Sequence, residues 1–92
     1  MINLSIDFEG NNMKCDAVIE LDGISASWTA RAKISGHPTI SNLYINYRLG
    51  EYLAPLFVSE KDLQFFTSLL DKIEEQANVL LPNEHVENIK DN

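Results

Sequence analysis

Residues 24–35 read ISASWTARAKIS, and their alternation decides the fold. Successive side chains of a strand point to opposite faces, so parity sorts them. The even positions Ile24, Ala26, Trp28, Ala30, Ala32 and Ile34 are apolar; the odd ones, Ser25, Ser27, Thr29, Arg31, Lys33 and Ser35, are polar. Read along the chain, the only tryptophan stands beside two cations, as in an aromatic-basic nucleic-acid site. Read across a strand, that cluster dissolves. Trp28 is expected in the core, with Arg31 and Lys33 on the solvent face.

The same parity extends outward on both sides. In residues 2–9 the even positions Ile2, Leu4, Ile6 and Phe8 are apolar, and in 13–21 the odd positions Met13, Cys15, Ala17, Ile19 and Leu21 are. Gly10-Asn11 separates these runs. Asp22-Gly23 supplies the strongest short hairpin signal, because a type I′ turn needs two residues tolerant of positive φ. Gly36-His37-Pro38 ends the third run. A fourth places Leu43, Ile45, Tyr47 and Leu49 inward, with Tyr44, Asn46 and Arg48 outward. A turn at Gly50-Glu51 then permits a last short strand in which Tyr52, Ala54, Leu56 and Val58 continue the buried set, and Pro55, which lacks a donor, suits an edge. Ile2 to Glu9 is the other expected edge, with Asp7 and Glu9 discouraging uncontrolled pairing.

From residue 58 the period changes. Leu63, Phe66, Leu70, Ile73, Ala77 and Leu80 recur at steps of three and four, one apolar stripe along a helix. Ser59 and Asp62 resemble a capping box, with Val58 and Leu63 spaced as a hydrophobic staple around it. The helix is expected from near Ser59 to Leu81, before Pro82. At ~1.5 Å per residue it is about 33 Å long, against ~24 Å for five strands spaced ~4.8 Å apart. The small residues Cys15, Ala17, Ala26, Ala30 and Ala32 leave a groove in which bulky helix residues can lie close. The expected fold is therefore α+β: an antiparallel β-meander of four to five strands with one long C-terminal helix packed across one face. Residues 1–82 form one domain, and 83–92 a flexible acidic tail.

Composition bounds the chemistry. A chain of 92 residues, 45% hydrophobic, makes one small globular domain. Its net charge of −7 is uneven. Residues 1–48 hold four cations and five acids, a net −1, while residues 49–92 hold three cations and nine acids, a net −6. A field of this sign repels phosphates and anionic membranes and favours basic partners. No signal segment and no apolar run of membrane-spanning length is evident, so a cytoplasmic protein is expected. Cys15, the only cysteine, cannot form an internal disulfide and falls on the core face.

Catalysis finds little support. Cys15 with His37 or His85 would need the thiol exposed. The two histidines have no ligand-spaced partners, and no phosphate-binding glycine loop or HExxH occurs. No catalytic residue, metal or cofactor is expected.

Binding is more promising. On the solvent face, Arg31 and Lys33 are expected beside Asn46 and Tyr44, Tyr44 beside Phe57, and Leu53 near Arg48. An aromatic and aliphatic patch next to arginine is the composition of a protein-binding hot spot. The expected partner-binding residues are Tyr44, Arg48, Leu53 and Phe57, with Phe65 off the main helical stripe and the acidic helix residues Asp71, Glu74 and Glu75. Arg31 and Lys33 form a candidate anion site. Two function classes follow. The first is a small acidic, non-catalytic protein-binding module, such as a bacterial or phage inhibitor, antagonist or immunity-type protein, directed at a partner such as a basic nucleic-acid-handling enzyme and itself a homodimer. The second is an open-sheet nucleic-acid or nucleotide binder using Arg31, Lys33, Arg48 and Tyr44, which the acidic balance disfavours.

Overall fold

The computed structural model describes residues 1–10, 13–53 and 56–83, with Gly10 and Met13 described in backbone only. Five strands follow one another, β1 (Ile2–Gly10), β2 (Met13–Ile24), β3 (Ser27–Ser35), β4 (Asn42–Arg48) and β5 (Glu51–Leu53), and the helix α1 (Glu60–Leu80) closes the order. The strands lie in the sheet as they do in the sequence, each antiparallel to the next. This is the α+β meander with its helix across one face.

Parity explains the dry side. Cys15, Ala17, Ile19 and Leu21 of β2, Trp28, Ala30, Ala32 and Ile34 of β3, and Leu43 and Ile45 of β4 are buried in one cluster with Phe66, Leu69, Leu70, Ile73 and Ala77 of α1. Large and small residues alternate across the rungs: Ala17 stands between Ile6 and Ile34, Ala32 between Ile19 and Leu43, and Ala30 between Leu21 and Ile45. The two alanines of β3 leave a furrow down the middle of the sheet, and α1 follows that strand lengthwise. Thr39, just past β3, donates its hydroxyl to both carboxylate oxygens of Asp62 at 2.9 Å. At the opposite end, the Ser25 N–H, just before β3, donates to the Pro82 carbonyl at 2.9 Å. Residues adjacent on a helix diverge by about 100°, so Phe65 turns to Phe8 of β1 (centroids 5.2 Å apart) while Phe66 turns to Tyr52 of β5 (6.0 Å).

The helix begins where the capping pattern places it. The Asp62 N–H donates to the Ser59 hydroxyl at 3.4 Å, and Glu60 and Asp62 lie at the positive end of the helix dipole. The capping box is one-sided, because the Asp62 carboxylate is taken by Thr39. The staple does not form: Val58 is fully exposed and Leu63 about half exposed. Leu80 is also exposed, and Leu69, off the expected stripe, is fully buried. At the far end the Leu81 N–H reaches the Ala77 carbonyl at 3.0 Å. Leu81 itself is extended, as a residue preceding proline prefers.

The turns depart from expectation. Asp22-Gly23 is not a turn; β2 runs through it and the chain reverses at Ser25-Ala26, so Leu21 pairs with Ala30. Gly23 stands opposite Trp28 with φ +122°, and a Cβ there would collide with the Ser27 carbonyl oxygen and lie 2.9 Å from the Trp28 Cα. The glycine permits close strand approach rather than a reversal. Ile24 therefore pairs with Ser27 and is half-buried. The two-residue reversal with positive φ at both positions falls instead at Leu49 (φ +49°) and Gly50 (φ +87°), between the paired Arg48 and Glu51. Leu49, expected inward, is thereby turned out to solvent. Among the described residues three of the last run, Glu51–Leu53, pair as β5, and Tyr52, Leu56 and Val58 are exposed rather than buried. Ala54, Pro55 and residues 84–92, including His85, lie outside the described residues.

Candidate docking surface

The side of the sheet away from α1 is open among the described residues. Its rungs follow from the register. One carries Asn3, Glu20, Arg31 and Tyr44; the next in one direction Ser5, Val18, Lys33 and Asn42; the next in the other Asp22, Thr29, Asn46 and Leu53. The expected neighbours of Arg31 and Lys33 are thus displaced by one rung pair. Arg31, not Lys33, faces Tyr44, and its guanidinium carbon sits 5.5 Å from the ring centroid, a cation–π contact. Lys33 lies between Val18 and Asn42. A shallow depression of about 770 Å³ is lined here by Val18, Glu20, Arg31, Lys33, Asn42 and Tyr44. It brings the two candidate anion-binding cations together with an aromatic ring, but also with Glu20.

A second depression, of about 750 Å³, lies at the β4–β5 edge between Arg48, Leu49, Glu51, Tyr52 and Leu53. Tyr44, Arg48 and Leu53 thus occupy the exposed side as expected, with Leu53 paired to Asn46 and Glu51 to Arg48. Phe57 does not. It is half-buried on the dry side, its ring 5.2 Å from that of Phe66, because the chain leaves the sheet after Leu53. Phe65 is also half-buried, packed on Phe8 and on the His37 ring at 4.4 Å. Both phenylalanines pack against the core cluster instead of standing on the open face. Asp71 and Glu75 are exposed on α1 and Glu74 is partly so.

Exposed apolar residues collect instead between Leu49 and Val58, where parity reading assigned Leu49, Leu56 and Val58 to the core and Leu53 to the open face. Leu49 and Leu53 are each 75% exposed, Leu56 98% and Val58 107%. The signal that could have found them is the Leu49-Gly50 reversal, which moves Leu49 out of the strand and shortens the pairing that follows.

Two polar clusters complete the picture. Asp7 and Asp16 face each other across β1 and β2. The Asp16 carboxyl is pushed up from its ordinary value of 3.8, first by its hydrogen bond to Asp7, then by the Asp7 charge and by desolvation, with Lys14 opposing. Their equal separation from the paired Gly10 and Met13 could have placed them together. At the foot of the sheet, the Nδ1 of His37 accepts the backbone N–H groups of Thr39 (3.1 Å) and Ile40 (3.0 Å), and its Nε2 lies 3.9 Å from Asp62. This histidine holds the β3–β4 loop against the helix start. Cys15 is buried, and its thiol is pushed up by that burial and by the charge of Asp16, which disfavours the reactive thiolate. Among the described residues no group of three or more His, Cys, Asp or Glu side chains could hold a metal ion, and no helix is long and apolar enough to cross a membrane. No family model, curated protein or solved structure matches the chain, so the functional reading rests on these surfaces.

Proposed function

We propose that the protein is a small, non-catalytic protein-binding module, of the inhibitor, antagonist or immunity type, that docks on a partner through the β4–β5 edge and the segment after it. The observation that carries this reading is the run Leu49, Tyr52, Leu53, Leu56 and Val58, large apolar residues left exposed within one short stretch. Leu49, Tyr52 and Leu53 line one depression with Arg48, and exposed apolar residues beside an arginine are the composition of a docking patch, where burial on a partner supplies most of the association energy. The acidic surface of α1, with Asp71, Glu74 and Glu75, favours a basic partner such as a nucleic-acid-handling enzyme and speeds its encounter.

The test is capture by immobilised full chain, followed by calorimetry with the purified captured protein. Leu53→Asp combined with Leu56→Asp is expected to weaken binding at least about 30-fold, the loss of roughly 2 kcal/mol typical of a central contact, with the circular dichroism unchanged. Binding unaltered by both changes would remove the edge from consideration. A second reading, an open-sheet nucleic-acid binder, draws on Arg31 lying over Tyr44 beside Lys33. Salt-sensitive retention on heparin and single-stranded DNA, lost in Arg31→Ala with Arg48→Ala, would reverse the order of the two readings.

A further inference from the structure

The open face is divided by charge along the boundary between β2 and β3. Its β1–β2 half exposes Asp7, Glu9, Asp16, Glu20 and Asp22 against a single cation, Lys14; its β3–β4 half exposes Arg31, Lys33 and Arg48 and no acid. Among the described residues none of these cations forms an ion pair within 4.0 Å, although Glu20 faces Arg31 and Glu51 faces Arg48 across the ladder.

We propose that this face receives a second copy of the chain, stacked sheet to sheet about a twofold axis that runs along the strands between β2 and β3. That operation lays the acidic half of each copy over the basic half of the other and leaves height along the strands unchanged. Arg31 then meets Glu20 of the second copy, Lys33 lies between that copy's Asp16 and Glu20, and Tyr44 covers its Asn3. An axis across the strands would set like charges together. Stacked sheets lie about 10 Å apart, a gap that arginine, lysine and glutamate side chains from both faces fill.

The area suffices. The four strands that overlap, β1 to β4, at ~4.8 Å spacing and nine residues at ~3.3 Å give a face of roughly 570 Å² per copy, or about 1,100 Å² over the pair, above the ~1,000 Å² that a specific interface needs. The net charge of −7 opposes association. Of it, a net −3 belongs to α1, with Lys61 and Lys72 against Glu60, Asp62, Asp71, Glu74 and Glu75, on the side of the sheet away from the stack, and salt screens charges separated by more than about 8 Å. An isologous pair of this kind is the commonest symmetric assembly. It does not rest on the docking edge at residues 49–58, which stays outside the stack.

Sedimentation equilibrium of the full chain in 0.1 M NaCl is expected to show a dimer that weakens about tenfold or more in 1 M NaCl, as screened charge pairs do. Arg31→Glu with Lys33→Glu, and separately Asp16→Lys with Glu20→Arg, should each be monomeric and keep the parent circular dichroism. Mixed one to one, the two variants should form a heterodimer, since positions 16, 20, 31 and 33 at the β2–β3 centre are then all acidic in one and all basic in the other. A parent that stays monomeric at millimolar concentration overturns the proposal. So does a dimer that both charge variants retain, or a mixture that fails to associate.

Discussion

The two faces of the sheet are built from the same strands and obey the same alternation, yet they are specified to different degrees. On the dry face size alternates across the rungs, with Ala17, Ala30 and Ala32 each flanked by isoleucine or leucine. On the open face it is charge that is distributed, the acids on β1 and β2, with Lys14 among them, and only cations on β3 and β4. Packing is short-ranged and fixes each neighbour, whereas charge is longer-ranged and fixes only the half of the surface. The difference suits one face to holding the fold and the other to meeting something outside it.

Truncations on either side sharpen that contrast. Ile73→Ala removes a fully buried side chain of α1 and should cost about 2–5 kcal/mol in urea denaturation, through lost burial and the cavity left behind. A cost under about 1 kcal/mol, within the range of surface substitutions, would mean that the helix does not seat in the furrow.

Asp16→Asn acts on the open face through pH. The folded state raises the Asp16 carboxyl above its free value, so the shared proton with Asp7 favours folding fully at pH below about 3.8, and that advantage is lost as pH rises through the raised value. Above the raised value the Asp16 charge is held unfavourably beside Asp7. The substitution should therefore raise Tm at pH 7 and give no gain at pH 3, followed by thermal unfolding at low micromolar concentration. An equal gain at both pH values would show that Asp7 and Asp16 do not interact. Smallest of all, Tyr44→Ala should shift stability by no more than about 0.5 kcal/mol, the range of exposed sites outside a packed network. A larger cost in the same urea titration would make Tyr44 part of the fold rather than of the open face.

How far the sequence could be read follows from the same asymmetry. Parity is robust: it placed Trp28, Cys15 and Ile45 inside and Arg31, Lys33 and Tyr44 outside, and the change of period located α1 to within a residue of its cap at Ser59. Register was not legible. A reversal at Asp22-Gly23 and one at Ser25-Ala26 both pair odd residues of β2 with even residues of β3, so the hydrophobic pattern is identical in the two and cannot choose between them. What distinguishes them is the close approach of Gly23 to Trp28, a tertiary fact. The run after Gly50 failed for another reason. Alternation alone cannot say how many residues pair, and after three the chain departs, which takes Phe57 to the core and leaves Leu56 and Val58 outside.

The helix is fastened at both extremities of a single strand, by Asp62 to Thr39 and by Pro82 to Ser25. A ratchet of one turn, about 5.4 Å, would sever both fastenings at once, and a pivot about either would lift Phe66 or Ala77 from its seat. Sliding of the helix along the strand is thus opposed from both ends, and the register between α1 and the sheet is set by those bonds together with the packing of Phe66 and Ala77.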